Sequence, residues 1–261
     1  MGDEVKPKFS VLTACYNGRK YIAPCIDSVV RQTYKNWEMI IYDDCSTDGS
    51  SNVIRNTIAK YDKYKDNIRL IKTIGHRLYC GSSYHEASQY VSGALVGILD
   101  ADDQLTNNAI ERIVEAYDKN PDIDFIYTQH ILCKTNYNMN EVMNGESGIS
   151  SMPVGSLLES WETRSAHAFS HWRTFRSSML KYGLFAEKYK CSIDKYMGMV
   201  LELYGYGAFL DECLYLYRFH DGQMTGKMRD KRPKVKRKLI KNIRRLKNKC
   251  NLEAKPIIKI K

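Results

Sequence analysis

Three carboxylates within four residues are the most unusual chemical feature of this sequence. Asp100, Asp102 and Asp103 come directly after the apolar run 95–99. Carboxylates this close repel one another, and a divalent cation relieves the repulsion, since Mg2+ and Mn2+ prefer oxygen ligands and commonly bind one or two carboxylates together with substrate phosphates. A solvated turn with one helix-capping acid is the alternative, but capping does not require three acids. We therefore predict a metal site at residues 100–103.

The elements around these acids alternate between strands and helices. Short β-prone runs that end in turn signals predict five strands, at residues 9–14, 38–42, 68–71, 95–99 and 123–127. Apolar residues at three- and four-residue spacing predict helices between them. Such alternation indicates an α/β fold with a mainly parallel central sheet flanked by helices.

Polar clusters follow three of these strands. Tyr16 comes after the first strand, Asp43 and Asp44 close the second, and residues 100–103 follow the fourth. Because right-handed crossovers bring the carboxyl ends of parallel strands to one edge, where ligands bind in such sheets, we expect these side chains to form one site.

Four ordered motifs resemble the family 2 inverting glycosyltransferases of GT-A fold. They are residues 11–17 (VLTACYN), 28–34 (SVVRQTY), 43–49 (DDCSTDG) and 99–103 (LDADD). The resemblance covers roughly the first half of the chain, with weaker echoes to about His220. It implies a Rossmann-like GT-A domain. It also implies transfer of a sugar from a nucleotide-diphosphate-sugar, a UDP-sugar, to a hydroxyl of a saccharide, lipid-linked or protein acceptor.

The resemblance also assigns residues to the donor and to a Mn2+ or Mg2+ ion. Tyr16 would border the nucleotide base and Asp44 would accept from the base or ribose. Asp103 would be the main metal ligand, Asp102 would contact both ribose and metal, and Asp100 would complete the D-x-D pattern. The implied donor-binding residues are Ala14, Tyr16, Asp43, Asp44, Asp102 and Arg218, and the implied metal ligands are Asp102, Asp103 and His220.

Asp194 matches the position of the family's catalytic base. Transfer needs one carboxylate that takes the proton from the acceptor hydroxyl as it attacks the anomeric carbon. A helix N-cap is the alternative role for Asp194. One departure concerns the donor: where the family often has an Arg-Asn pair before its fourth strand, this sequence has Tyr84 and His85.

The acceptor side has fewer signals. His171 and Trp172 are candidate acceptor-binding residues, since an indole ring can stack on a sugar, with core packing as the alternative for Trp172. His167 lies four residues before His171, but no third ligand is evident, so the pair is interpreted as acceptor-site or structural rather than as a zinc site.

The basic charge is concentrated at one end of the sequence. Residues 227–261 contain sixteen Lys or Arg and two acidic residues, a net +14, so the rest carries −4 of the total +10. Val235, Leu239 and Ile243 lie on one stripe of a predicted basic amphipathic helix. The stripe could pack on the domain, the helix could lie on an anionic membrane surface, or it could bind nucleic acid, the least favoured option because aromatic residues are absent from it.

The sequence therefore predicts a GT-A domain at 1–222, with a nucleotide-sugar half at 1–130 and an acceptor half at 131–222, followed by a basic extension at 223–261. Without a signal-peptide core or a long apolar run, we expect a cytoplasmic protein, peripheral at the inner face of the membrane if the helix binds lipid. A sugar-nucleotidyltransferase and a degenerate nucleotide-sugar-binding module are the alternative functions.

Overall fold

The computed structural model describes residues 6–73, 75–134, 150–163, 168–185, 187, 192–221, 223 and 232–261. His167, which was considered at the acceptor side, lies outside these ranges. Among the helices within them, none is long and apolar enough to cross a bilayer.

The first half of the chain alternates strands and helices, as predicted. Its elements are β1 (Phe9–Cys15), α1 (Ile22–Val30), β2 (Trp37–Asp43), α2 (Ser50–Lys60), β3 (Ile68–Lys72), α3 (Cys80–Ser88), β4 (Leu95–Ile98), β5 (Gln104–Leu105) and α4 (Ala109–Lys119). Strands β1, β2 and β4 are buried almost throughout, as expected of parallel strands that have helices on both faces.

Four of these strands pair in parallel in the spatial order β3-β2-β1-β4. Phe9 lies opposite both Trp37 and Leu95, so β1, β2 and β4 run level with one another. Their carboxyl ends therefore meet at one edge, and the residues that follow each strand lie side by side there. The α/β prediction with a mainly parallel sheet is confirmed.

The second half continues the same sheet with mixed pairing. Its elements are β6 (Phe125–Lys134), α5 (Leu157–Thr163), β7 (Arg173–Arg176), α6 (Ile193–Tyr204) and β8 (Gly207–Phe219). Strand β7 pairs antiparallel with both β4 and β6, and β6 pairs parallel with β8. The antiparallel β7 thus joins the two halves into one sheet.

From sequence alone, the apolar runs at 207–210 and 213–218 predict two separate strands, and the structure has the single strand β8 in their place. It is one strand, because the pairing with β6 shifts register twice, on either side of Gln129. Asp211 and Glu212 fall in the first shift, where extra residues are accommodated as a β-bulge. Their charges interrupt the apolar pattern but not the strand.

The short strand β5 positions the end of β8 over the acidic loop. Gln104 lies opposite Leu216 and Leu105 opposite Tyr215 in antiparallel pairing. Because β5 begins directly after Asp103, this pairing brings the residues that end β8 back to residues 100–103.

The C-terminal part of the sequence packs against this domain through α7 (Arg232–Cys250) and β9 (Ile257–Ile260). Leu239 and Ile243 are buried against the domain, and β9 pairs parallel with β8. Residues on both sides of the predicted boundary at 222 therefore contribute to one sheet, and the apolar stripe of the basic helix packs on the domain.

Candidate active site

The loops after β1 and β2 are held together by short hydrogen bonds. The Asp44 amide donates to the Cys15 carbonyl at 2.8 Å. The Asn17 amide donates to Ser46 Oγ at 2.9 Å, and Asn17 Oδ1 accepts from the Thr47 amide at 2.9 Å. These contacts fix the orientation of the first two polar clusters relative to each other.

The two adjacent acids Asp43 and Asp44 are both buried. The Asp43 carboxylate accepts from the Ser46 amide at 3.0 Å and from the Ser51 hydroxyl. Asp43 is thus buried and holds its own loop; its assignment to the donor stays a prediction. The Asp44 carboxylate faces the other way and accepts from the amides of Leu78 and Tyr79, at 2.6 and 2.8 Å.

Tyr16 projects from the end of β1 and is 40% exposed. The Arg77 guanidinium lies 3.5 Å from the centroid of its ring. Ala14, the other implied donor residue on this strand, is half-buried opposite Tyr42 of β2. Tyr16 and Ala14 therefore border the same edge as Asp44.

Asp100 bridges the two halves of the sheet. Its Oδ1 accepts from the Tyr84 hydroxyl of α3 at 2.7 Å, and its Oδ2 accepts from Arg173 Nη2 of β7 at 3.0 Å. Tyr84, which departs from the family's usual residue, is thus committed to this carboxylate. The cation that neutralises Asp100 comes from Arg173, on another strand.

Asp103 points into the protein and is 1% exposed. Its Oδ2 accepts from the Tyr215 hydroxyl and its Oδ1 from the Arg218 amide, both at 2.7 Å. Burial, and then the charges of Asp102 and Asp100, raise the pKa of Asp103 well above its ordinary value. Both oxygens of Asp103 thus hold the end of β8 in place; its assignment as the main metal ligand stays a prediction.

Asp102 lies on the open side of the loop, with its side chain 32% exposed. Its Oδ2 lies 2.9 Å from Nε2 of His220. Burial and the neighbouring Asp100 raise the pKa of Asp102, while His220 opposes the shift. A divalent cation would stabilise the ionised form of Asp102, which the charge of Asp100 disfavours, and the facing imidazole of His220 is a second ligand.

Arg218, near the end of β8, and Tyr21 contact the pair Asp102 and His220. Arg218 Nε donates to the Asp102 carbonyl at 2.8 Å, and its guanidinium lies 5.1 Å from the Tyr21 ring. The rings of Tyr21 and His220 are 4.5 Å apart. Tyr21, at the start of α1, therefore packs against both Arg218 and His220 and holds them beside the acidic loop.

Within the described ranges, no three His, Cys, Asp or Glu side chains are grouped to hold a metal ion. The pair Asp102 and His220 offers two ligands, one oxygen and one nitrogen. Mg2+ and similar ions usually complete their coordination with substrate phosphates and water. The residues present therefore fit a metal that binds together with a phosphorylated ligand.

Asp194 lies in the first turn of α6. Ser192 is the N-cap residue of that helix, so the N-cap role weighed for Asp194 is excluded. Its carboxylate lies 4.0 Å from Lys195 Nζ and its side chain is 36% exposed. Burial lowers the pKa of Arg173, but Asp100 and then Asp194 raise it, with a net upward shift. The charges of both Asp100 and Asp194 thus act on Arg173.

The two acceptor candidates lie in different environments. Trp172 is completely buried and packs 5.4 Å from the Phe9 ring, so the structure corrects its assignment to the acceptor, and core packing explains it. His171 is half-buried and stacks 4.6 Å from the Tyr215 ring. Its Nδ1 lies 2.8 Å from Arg173 Nη2, and burial and the Arg173 charge lower its pKa well below 6.5.

Four residues of this site were missed by the sequence analysis. Arg77 and Tyr21 lie beside motifs but match none, and Arg173 and Tyr215 lie in strands of the second half. Only a strand register could have placed Tyr215 beside Asp103. For Arg173, in the strand RTFR, no local pattern sets it apart from the arginine at the other end of the strand.

Comparison with known proteins agrees with this arrangement. The sequence profile described as Glycosyl transferase family 2 matches residues 10–183. TuaG of Bacillus subtilis (strain 168), described as a glycosyltransferase of teichuronic acid biosynthesis, is 34% identical over 110 residues, which are 42% of this chain and 42% of that protein. The matched stretch thus spans less than half of that relative.

Two solved structures have the same fold. S. aureus TarS 1–349 in complex with UDP-GlcNAc has a TM-score of 0.65 at 20% identity, covering 84% of this chain and 60% of that chain. The mannosyltransferase PcManGT from Pyrobaculum calidifontis, in complex with GDP-Man and Mn2+, has a TM-score of 0.56 at 14% identity, covering 83% of this chain and 55% of that chain. At these identities the likeness establishes the fold, and the GT-A prediction is confirmed.

Proposed function

The chain belongs to glycosyl transferase family 2, and on that premise we propose that it transfers a sugar from a nucleotide-diphosphate-sugar to an acceptor hydroxyl with inversion at the anomeric carbon. One observation carries the proposal: Tyr16, Asp44, Asp102 and His220, from four distant stretches of sequence, converge at one sheet edge.

We propose a UDP-sugar as the donor. Tyr16 offers an exposed ring face for a nucleotide base, and Asp44 offers a carboxylate to a base N–H. TarS binds UDP-GlcNAc and PcManGT binds GDP-Man; uracil and guanine both present ring N–H groups. Arg218, beside Asp102, supplies positive charge on the diphosphate side.

We propose that Asp102 and His220, rather than Asp103, hold a Mn2+ or Mg2+ ion. When bound, such an ion supplies charge neutralisation for the departing diphosphate. Asp103 keeps the end of β8 in place through Tyr215 and the Arg218 amide, which sets the position of His220 two residues further on.

Asp194 is proposed as the general base. Its carboxylate takes the proton of the acceptor hydroxyl while the hydroxyl oxygen forms its bond to the anomeric carbon. The bond from that carbon to the diphosphate oxygen breaks, and its electron pair leaves with the nucleoside diphosphate. Attack opposite the leaving group in one step gives inversion. Asp194 suits this role because it is not one of the two proposed metal ligands: the carboxylate that faces His220 belongs to Asp102.

The acceptor is proposed to be a saccharide, lipid-linked or protein hydroxyl, approached from the side of α6 and α7. The outer face of α7 exposes basic residues opposite the buried stripe, among them Lys234, Arg237, Lys238, Lys241 and Arg245. Each Lys or Arg near an anionic bilayer contributes about 1 kcal/mol to binding. We propose that this face rests on an anionic membrane surface.

Vesicle flotation tests the membrane proposal. The protein should float with anionic vesicles and not with zwitterionic ones, and replacement of Lys234, Arg237, Lys238, Lys241 and Arg245 together by Gln should abolish flotation. Replacement of Arg55, Lys60 and Lys63, exposed in and just after α2, should leave flotation intact. Flotation that ignores lipid charge, or that survives the α7 replacements, would contradict a membrane role.

Donor binding and transfer test the function itself. Thermal unfolding should shift upward with a nucleoside diphosphate in the presence of Mn2+, and a sugar nucleotide with that base should then lose its sugar to a matching acceptor. Binding without transfer to any saccharide, lipid-linked or protein acceptor would indicate a nucleotide-sugar-binding module. No shift with any nucleoside diphosphate would contradict the proposed function.

A further inference from the structure

Arg77 lies in the middle of the site assigned to the nucleotide base. Its guanidinium is 3.5 Å from the centroid of the Tyr16 ring and 4.6 Å from that of Tyr79. A guanidinium of the same protein thus stacks on the Tyr16 ring, the group proposed to stack on the base.

The carboxylate assigned to the base is engaged by the same stretch of chain. Arg77 Nε lies 3.5 Å from Asp44 Oδ2, and the adjacent amides of Leu78 and Tyr79 donate to the two oxygens of Asp44. Arg77 Nε is buried and donates no hydrogen bond to the described residues. Residues 77–79 thus occupy both groups that a base needs.

A guanidinium and a base share the relevant chemistry. Both are planar, both stack on an aromatic ring, and both direct N–H donors from their edge to a carboxylate. Uracil and guanine have such ring N–H groups, as does the guanidinium. The backbone at Tyr79 has a φ of 71°, in the left-handed region that non-glycine residues seldom adopt, so the contacts with Asp44 hold a strained stretch in place.

We propose that Arg77 takes the place of the nucleotide base in the donor-free protein and thereby determines donor affinity. This inference rests on the proposed function. The base displaces the guanidinium from Tyr16 and Asp44, and residues 77–79 move aside. The apparent affinity is lower than the intrinsic affinity by the fraction of molecules in which the base site is open.

Calorimetric titration with UDP and with GDP, in the presence of Mn2+, tests the proposal. Arg77→Ala should bind whichever of the two the wild type binds about three- to tenfold more tightly, because loss of one stacked and ion-paired contact shifts an equilibrium by that factor. Arg77→Lys, which keeps the charge but not the planar group, should lie between the two. Arg69→Ala is the matched control, since the Arg69 guanidinium stacks 5.4 Å from the Tyr90 ring outside the site, and its affinity should equal that of the wild type.

Amide hydrogen exchange of the wild type gives a second measurement that does not depend on a variant. The amides of Leu78 and Tyr79 should exchange faster when the nucleotide is bound, because Asp44 no longer accepts from them. Equal or weaker nucleotide binding by Arg77→Ala, or unchanged exchange at these amides, would overturn the inference and leave the proposed function standing. If neither UDP nor GDP bound to any of the proteins, the proposed function would fail together with it.

Discussion

In the β1–β4 half of the sheet, three site residues follow their strands within two positions, whereas in the β6–β8 half several others lie inside strands or on a helix. Tyr16, Asp44 and Asp100 stand at the ends of β1, β2 and β4. Arg173 and Tyr215, by contrast, lie within β7 and β8 and reach the same place through strand pairing.

The difference shows which site residues a local sequence motif can place and which depend on the register of strand pairing. A strand followed by a polar turn places its residue at the sheet edge regardless of the rest of the chain. A residue within a strand reaches the site only if its neighbours pair in one register, as Tyr215 does opposite Leu105. The donor half should therefore bind ligand through local motifs, and the second half should complete the chemistry.

The largest expected effect is that of Asp194→Asn in the second half. Loss of a general base lowers turnover by about 100- to 10,000-fold, while donor affinity, which depends on the first half, should stay unchanged. Steady-state kinetics and calorimetry measure the two quantities separately. Asp211→Asn, at an exposed ion pair with Lys259, is the control. Full turnover by Asp194→Asn would show that the second half does not supply the base.

Substitution of the two adjacent acids should separate ligand binding from stability. Asp102→Asn should weaken Mn2+-dependent nucleotide binding by about tenfold or more and leave the thermal midpoint nearly unchanged. Asp103→Asn should mainly lower the free energy of unfolding, by about 1–3 kcal/mol, because the buried Tyr215 hydroxyl and Arg218 amide lose a carboxylate acceptor. The reverse pattern would restore Asp103 as the metal ligand.

A buried carboxyl in α6 should make the stability of the second half depend on pH. Burial raises the pKa of Glu202 from 4.5 to about 7. The native state then holds a proton that the unfolded state releases, so the free energy of unfolding should fall as pH rises from 4.5 to about 7, by up to about 3 kcal/mol. Urea unfolding at several pH values measures the slope. Glu202→Gln should flatten it, while Glu162→Gln, at a more exposed ion pair with Arg244, should not.

The smallest expected effect concerns the bridge between the halves. Tyr84→Phe removes the hydroxyl that donates to Asp100 and should cost about 0.5–1.5 kcal/mol of unfolding free energy. Asp100 keeps its contact with Arg173, so folding should survive. Tyr117→Phe, which removes a buried contact with the Thr174 hydroxyl inside the core, gives the comparison. A change in nucleotide affinity with Tyr84→Phe alone would show that the bridge also shapes the donor site.

The sequence was sufficient for the parallel half and its edge because strands, helices and turns there follow local periodicity. It was not sufficient for β8. Asp211 and Glu212 indicated a break between two strands, but they form a β-bulge that the pairing with β6 accommodates. Nor could the sequence tell Asp102 from Asp103, because their roles depend on which of the two faces the buried hydroxyl of Tyr215, 112 residues away.

The environments of two aromatic residues also could not be predicted from the sequence. Trp172 was a candidate for sugar stacking, yet its ring fills the space above Gly97, where even an added Cβ would come within 2.5 Å of it. Tyr16 is 40% exposed, as a base-stacking ring should be, yet the Arg77 guanidinium already stacks on it. Burial and coverage are properties of the assembled sheet, which no short stretch of sequence reports.

The pairing of β9 with β8 has a consequence for solubility. Without β9, the segment Gly207 to Leu210 would be an apolar sheet edge with unpaired amides and carbonyls, a template for another chain to add a strand. β9 covers that segment, and its exposed Lys259, which pairs with Asp211, puts charge where a foreign strand would have to dock. Strand β9 thus takes the place on this segment that a strand from another chain would otherwise occupy.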